Sequence, residues 1–371
     1  MKYLLIMTTS ENVINFRSSM IKLLLGKGHS VSVIAHDSAR EADIKKLGVR
    51  FYCVSQDNRG LNPFSIVSYY KKLIKIIKNE APDVLLTYQL KPNIFGVLAG
   101  RKNKVKSIHA MVEGLGDVYT KTGIKWKLIR FVINTLYRIS FSKANGVFFL
   151  NNDDKEEFTE RKLVDGSKCT IIPGIGVDLK KFSYSDVKNT RKFIMVARML
   201  ETKGIYEYCK CARLVKNKYP EATFGYLGEE GTVKLSDIQE YIDDGSIDYY
   251  GTTNDVCPYL EDVFLLLLLS SYREGCPASI MEAQAVGRAV ITSNSVGCKD
   301  TVINGYNGFV VDKYDYKAMA EKVIWCMEHP EKAKQMCKNA RTFAEEHFDA
   351  KKINEIVYEV CNEGSALVSI G

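Results

Sequence analysis

Apolar residues recur along this chain in two alternating rhythms. Short, nearly continuous apolar runs, "KYLLIM", "SVSVIAH" and "VRFYCVS", are separated by segments such as "NFRSSMIKLLLGKGH", where apolar residues return every three or four positions. The first kind reads as strand and the second as helix, and their alternation predicts a parallel sheet with helices on both faces. "IVSYYKKLIKIIKNEAPDVLLTY" repeats the unit, with Pro82 and Asp83 marking the turn into a buried strand. "KVKSIHAMVEGLG", a long basic segment and the strand "GVFFLN" follow.

Through "CTIIPGIGVDLKKFSYSDVKNT" the rhythm lapses into turn residues, and at "RKFIMVARML" it starts again. A domain boundary is expected there, around residues 183–191. Beyond it "ATFGYLG", "IDYYGTT", "DVFLLLLLSS", "AVITSN" and "GFVVD" read as strands with helices between them. The expected architecture is α/β: two doubly wound Rossmann-like domains, residues 1–185 and 190–350, facing a central cleft. A C-terminal helix and tail, 351–371, is expected to cross back to the first domain. Ligands of such sheets bind outside the carboxyl ends of the strands, so chemistry is sought there.

A length of 371 residues exceeds one ordinary core and agrees with two domains. Net charge is +8, but it is unevenly placed: about +14 over residues 1–190 and about −6 over the rest. Ten scattered cysteines form no C-x-x-C pair and have no histidine at zinc spacing, which suits free thiols in a reducing cytosol. The N-terminus lacks the pattern of a cleavable signal, and the longest charge-free apolar run, Val263 to Leu269, is far short of the ~20 residues of a membrane helix. A cytoplasmic protein is expected.

The densest candidate chemistry lies in "YREGCPASIMEAQAVG", Tyr272 to Gly287. A buried strand delivers the chain to an irregular loop, and a helix starts near Ala278 and closes at Gly287. Free backbone N–H groups at that start, with the helix dipole, suit an anion such as a diphosphate. Glu282, about one turn inside, can accept two hydrogen bonds from a ribose diol, and Glu274 can do the same for a sugar on the other side of the diphosphate. On spacing alone, a dipole-favouring Glu282 and a solvated Glu274 explain the pair equally well.

The surrounding motifs decide between these. "VARMLETKG", "GYLGEEG", "DYYGTTNDV", the E-x7-E stretch "EGCPASIMEAQAVGRAVITSN" and "GCKDTVINGYNGFVV" occur in this order, after "NVINFR", "TYQLKPNIFG", "VEGLGDVY" and "IIPGIGVDLKKF". The ordered set resembles glycosyltransferase family 4, the retaining nucleotide-sugar transferases of GT-B fold, over nearly the whole chain. The resemblance implies that Arg198 and Lys203 hold the donor diphosphate and that Glu282 takes the ribose hydroxyls. It further implies that Glu274 and the backbone near Gly275, Cys276 and Pro277 meet the transferred sugar, with Ser279 and Ile280 in the adjoining helix turn. Without it, Arg198 and Lys203 read as a solvated pair. Gly251 and Val256, after a strand end, fall where this family packs the nucleotide base; a plain strand-to-helix turn is the structural alternative.

In the first domain many family members carry a glycine-rich loop after the first strand. Here that place reads "TTSENVINFR", without glycine, and Asn15 and Arg17 are expected to face the cleft; helix capping by Ser10 is the structural alternative. The family's cleft histidine aligns with Glu113, so Glu113 with Gly114 and Gly116 is assigned to the acceptor side, where a carboxylate can orient or deprotonate a sugar hydroxyl. His109, four residues earlier, is either a second acceptor-side group or a buried core histidine. The mechanism implied by the resemblance needs no enzyme nucleophile and no cofactor beyond the UDP-sugar, and no D-x-D metal signature stands where one would be needed.

The basic excess concentrates in "YYKKLIKIIKNE", "GRKNKVK" and "KTGIKWKLIRFVINTLYRIS". The last is an amphipathic cationic helix with Trp126, Leu128, Ile129, Phe131 and Val132, read either as core-packed or as a contact with the anionic inner leaflet through residues 121–143. A lipid-linked saccharide acceptor accounts for that basic half, and "TYQLKPN" with "VEGLG" resembles the subgroup that extends undecaprenyl-diphosphate sugars. The expected activity is transfer of a hexose or N-acetylhexosamine from a UDP-sugar to such an acceptor. A UDP-sugar 2-epimerase shares the fold but needs no acceptor surface. A basic nucleic-acid-binding protein explains the first half's charge but not the donor motifs, and a dehydrogenase would carry G-x-G-x-x-G after the first strand.

Overall fold

The computed structural model describes residues 1–56 and 62–363; the tail from 364 on lies outside them. Its contacts divide the chain into two units, one of Met1–Gly176 with the chain from Ala350 onward, the other of Val177–Asp349. The division falls between Gly176 and Val177, inside the stretch where the rhythm lapses but ahead of the boundary expected at 183–191. The reason is local: the Val177 amide donates to the Phe348 carbonyl, the Ser185 amide to Val286, and Arg341 to the Phe182 carbonyl. Residues 177–185 are thereby sewn to the second unit.

The first unit is a seven-stranded parallel sheet in the order β3-β2-β1-β4-β5-β6-β7. Its strands are β1 (Lys2–Ile6), β2 (Ser30–Ala35), β3 (Arg50–Cys53), β4 (Val84–Tyr88), β5 (Ser107–Val112), β6 (Gly146–Phe149) and β7 (Cys169–Ile171). β1 and β4 are buried almost throughout, as strands covered on both faces must be. β7 is a three-residue edge strand inside the stretch read as turns, too short to show a period.

The helix Ala350–Glu363 closes this unit. Asn362 accepts from the Tyr3 hydroxyl at 2.8 Å, the Cys361 carbonyl from Ser107 at 2.7 Å, and Asn354 donates to Ser19 at 3.0 Å. Two helices of the unit contain π-helical turns, Val13–Arg17 and Pro92–Gly96. Each adds one residue to a turn and shifts which side chains face inward, a feature frequent at functional sites.

The second unit is a six-stranded parallel sheet in the order β10-β9-β8-β11-β12-β13. Its strands are β8 (Lys192–Val196), β9 (Thr223–Leu227), β10 (Asp248–Tyr249), β11 (Leu265–Leu268), β12 (Ala289–Ser293) and β13 (Gly308–Val311). Strand order reverses beside β1 in the first sheet and beside β8 in the second, the place where doubly wound sheets receive ligands. No helix among the described residues is long and apolar enough to cross a membrane.

Candidate active site

In the second unit, β11 hands the chain to the loop "YREGCP" and then to the helix Ala278–Ala285. The loop is pinned at several points. Amides of Ser271 and Tyr272 both donate to the Thr202 carbonyl, and the hydroxyls of Ser293 and Ser295 both donate to the Ser270 carbonyl. Gly297, at φ 80°, permits a close approach: a Cβ there would lie 2.4 Å from the Glu274 carbonyl oxygen. Gly204, at φ 81°, plays the same part beside the Leu269 carbonyl and sets Lys203 against the end of β11.

The result is a Lys203–Glu274 ion pair, with side chains 19% and 11% exposed, in which the Ser270 hydroxyl also donates to Glu274 at 3.0 Å. The Lys203 ammonium further lies 5.6 Å from the centre of the Tyr272 ring. Lysine and glutamate thus converge beside the start of a helix in which the N–H groups of Ala278 and Ser279 have no partner within the helix, the Ile280 amide being the first to donate, to the Pro277 carbonyl. Pro277 occupies the N-cap position with extended φ and ψ, so the loop enters the helix in a fixed direction. Gly287 follows the C-cap residue Val286 at φ 83°, ending the helix where the sequence places its stop.

Arg198 is exposed just beyond β8, and Cys276 is part-buried beside Glu274, burial pushing its thiol well up. Ser279 is part-buried and Ile280 buried in the first helical turn. Glu282 lies one turn in, part-buried, and faces Lys181 and Asp255. Burial pushes its carboxyl up to about 7; Lys181 draws it down and Asp255 adds a further upward push. Lys181 and Asp255 approach within 3.8 Å of one another. Val256 caps the next short helix, and Gly251 takes φ 73° with nothing within 4 Å of its missing side chain. That glycine answers a backbone conformation, not a close approach.

In the first unit the polar residues at the strand ends gather differently from expectation. Asn15 is exposed, but Arg17 is buried: the π-turn Val13–Arg17 carries it inward, where its guanidinium lies 4.2 Å from the centre of the Tyr88 ring and pairs with Glu113. The two side chains are 5% and 17% exposed. Burial pulls the Arg17 guanidinium down, against an upward pull from Tyr88. Gln89 donates to the other Glu113 oxygen, and its own oxygen accepts from the Thr8 amide at 3.1 Å. Gly114 and Gly116, at φ 119° and 55°, shape the turn that follows.

Two readings left open by the sequence are decided here. Ser10 does not cap the helix: Thr9 does, accepting from the Asn12 amide, while the Ser10 hydroxyl donates to Asp37. His109 is no part of the site. It lies on the sheet face covered by the C-terminal helix, 3% exposed, with Ser107 at 2.9 Å and Phe148 at 5.9 Å between ring centres, and burial holds its pKa at about 4. It is a neutral core histidine. Gln89, Tyr88, Lys181 and Asp255 went unassigned in the sequence, although the first two lie in "TYQLKPN" and Lys181 in "VDLKKF". No group of His, Cys, Asp or Glu able to hold a metal occurs among the described residues.

A family model described as "Glycosyl transferases group 1" matches residues 177–343, and one described as "Glycosyltransferase Family 4" matches 18–181. A Campylobacter jejuni protein is 30% identical over 89% of this chain and 90% of its own length. The chain belongs to glycosyltransferase family 4. That relative is an N,N'-diacetylbacillosaminyl-diphospho-undecaprenol alpha-1,3-N-acetylgalactosaminyltransferase. An Escherichia coli UDP-Gal:alpha-D-GlcNAc-diphosphoundecaprenol alpha-1,3-galactosyltransferase is 27% identical over 82% of this chain and 81% of its own. Among solved structures, Anabaena HepE in complex with UDP superposes with a TM-score of 0.80 at 15% identity, covering 98% of this glycosyltransferase and all of that chain. The two parallel sheets are those of the GT-B fold.

Proposed function

We propose that this glycosyltransferase moves a hexose or N-acetylhexosamine from a UDP-sugar, with retention, onto a lipid-diphosphate-linked saccharide during assembly of a surface polysaccharide or glycan. The observation that carries the reading is the Lys203–Glu274 pair beside the free start of the helix Ala278–Ala285, with Glu282 one turn further in. Its support from relatives is that the two described above act on undecaprenol-diphosphate sugars.

Arg198, Lys203 and the helix start take the diphosphate, Glu282 the ribose hydroxyls, and Glu274 with the backbone of Gly275 to Pro277 the transferred sugar. Cations there stabilise the charge that grows on the leaving diphosphate. The acceptor oxygen bonds to the anomeric carbon on the face that the diphosphate leaves, as the bond to the phosphate oxygen breaks. The acceptor's proton passes to that phosphate oxygen, so no enzyme nucleophile enters. Glu113, held by Arg17 and Gln89, orients the acceptor hydroxyl.

The helix Ile124–Lys143 supports a peripheral contact with the cytoplasmic face of a membrane. Ile124, Leu128, Phe131, Val132 and Ile139 recur on one exposed stripe, with Phe131 70% exposed, and Lys121, Lys125 and Lys127 lie at its start. Trp126 and Ile129 are part-buried, so only part of the helix's apolar surface is used for packing. Exposed apolar and basic residues on one helix suit anionic lipid.

The test is a panel of nucleotide sugars read by thermal shift, followed by transfer to extracted lipid-linked saccharides with the anomeric configuration of the product determined. One UDP-sugar is expected to stabilise the protein and to yield a retained glycosidic product. Epimerised UDP-sugar formed without any acceptor would overturn the assignment.

A further inference from the structure

β4 ends at Tyr88 and a helix begins within two residues, so the turn between them is abrupt. Gln89 makes that turn at φ 64°, a left-handed conformation that side-chain-bearing residues rarely hold without compensation. Its own side chain supplies the compensation. Its amide nitrogen donates to one oxygen of Glu113, while its amide oxygen accepts from the Thr8 amide at 3.1 Å and lies 3.3 Å from the Thr8 hydroxyl. A strained strand-to-helix turn lifts a side chain above the strand ends, where substrate is met.

Arg17 holds the other Glu113 oxygen, and Arg17 is itself fixed by the Tyr88 ring and by the Met111 sulfur at 3.6 Å. Among the described residues, each carboxylate oxygen therefore has one donor and one lone pair left over. With only Arg17, the carboxyl could still turn about its last bond; with Gln89 as well, its plane is set. Gln89 also fastens the loop after β1 where this sequence has no glycine-rich turn.

We infer that Gln89 is a positioning residue of the acceptor site, locking the plane of the Glu113 carboxylate so that a remaining lone pair meets the acceptor hydroxyl. The inference rests on the acceptor role given to Glu113 above. Gln89 itself forms no bond to substrate and moves no proton.

The experiment is a double-mutant cycle on the full chain with UDP-sugar and lipid-linked acceptor. Gln89→Met keeps the bulk without the amide, Gln89→Gly keeps the left-handed turn without any side chain, and Glu113→Gln leaves Arg17 an acceptor. Both Gln89 variants are expected to lose between about 10- and 100-fold in transfer kcat with donor KM within about twofold. UDP-induced thermal stabilisation, a property of the second unit, is expected to be unchanged. In the Glu113→Gln background the same Gln89 changes are expected to cost nothing further, because there is no carboxylate left to orient. Unaltered kcat in both Gln89 variants, or losses that simply multiply with that of Glu113→Gln, would overturn the inference. A fully active Glu113→Gln enzyme would instead remove the acceptor role on which it rests.

Discussion

Replacing Glu282 by glutamine should make the protein more stable and a worse enzyme, and the two effects should part company with pH. Burial, with Asp255 adding to it, raises the Glu282 carboxyl from 4.5 to about 7 against the opposing pull of Lys181. The folded state therefore keeps this proton to higher pH than the unfolded chain does. As pH rises through the unfolded value the unfolded state is progressively favoured, and the cost is complete once pH passes about 7. A shift of that size corresponds to about 3 kcal/mol, and the side chain's residual exposure brings the expectation nearer 2 kcal/mol.

Glu282→Gln removes that cost, so at pH 8 the transition of the second unit should rise by roughly 4 to 8 °C, and near pH 4.5 the gain should vanish. Donor binding should move the other way. A ribose diol donates to the ionised carboxylate, so wild-type donor binding between about pH 5 and 7 should release protons, measurable as a buffer-dependent binding enthalpy. The variant should release none and show a donor KM higher by about tenfold, or 1.4 kcal/mol. Equal stability of the two proteins at pH 8, or the same gain at both pH values, would refute the burial argument; equal donor KM would refute the ribose role.

Further outcomes follow from the same geometry. Glu274→Ala should chiefly lower turnover and leave donor KM nearly unchanged, whereas Lys203→Ala should weaken UDP binding and turnover together, as steady-state kinetics with product-inhibition by UDP will show. Glu113→Ala should destabilise the first unit by about 3 to 5 kcal/mol because it strands the buried Arg17 charge, and adding Arg17→Met should return much of this in denaturant unfolding. Leu128→Ser with Phe131→Ser should lower partition onto anionic vesicles by more than tenfold without changing transfer to a short-chain, detergent-soluble acceptor. Transfer should persist in excess EDTA; abolition with rescue by magnesium would contradict the proposed charge stabilisation by Lys203 and Arg198 alone.

What could be read from the sequence, and what could not, follows from the range over which each interaction acts. Both parallel sheets, the helix that starts at Ala278 and stops before Gly287, and the position of Glu282 within it rest on local period and cap signals, and the structure keeps them. The raised carboxyl of Glu282 does not, because its neighbours Lys181 and Asp255 come from a linker about a hundred residues earlier and from the loop after β10. Arg17 was legible as a polar residue in the segment after β1, but its direction was not: the π-helical turn Val13–Arg17 places it inward, against Tyr88. His109 shows the complementary limit. Strand alternation puts it on one face with Ser107 and Met111, yet only the arrival of the helix Ala350–Glu363, some 240 residues later, makes that face interior. Gln89 escaped for a third reason, since a left-handed residue flanked by leucine and tyrosine carries no turn signature at all. At this site the motif residues were readable one by one, and the polar groups that hold them in place were not, because positioning is a long-range property and motif chemistry is not.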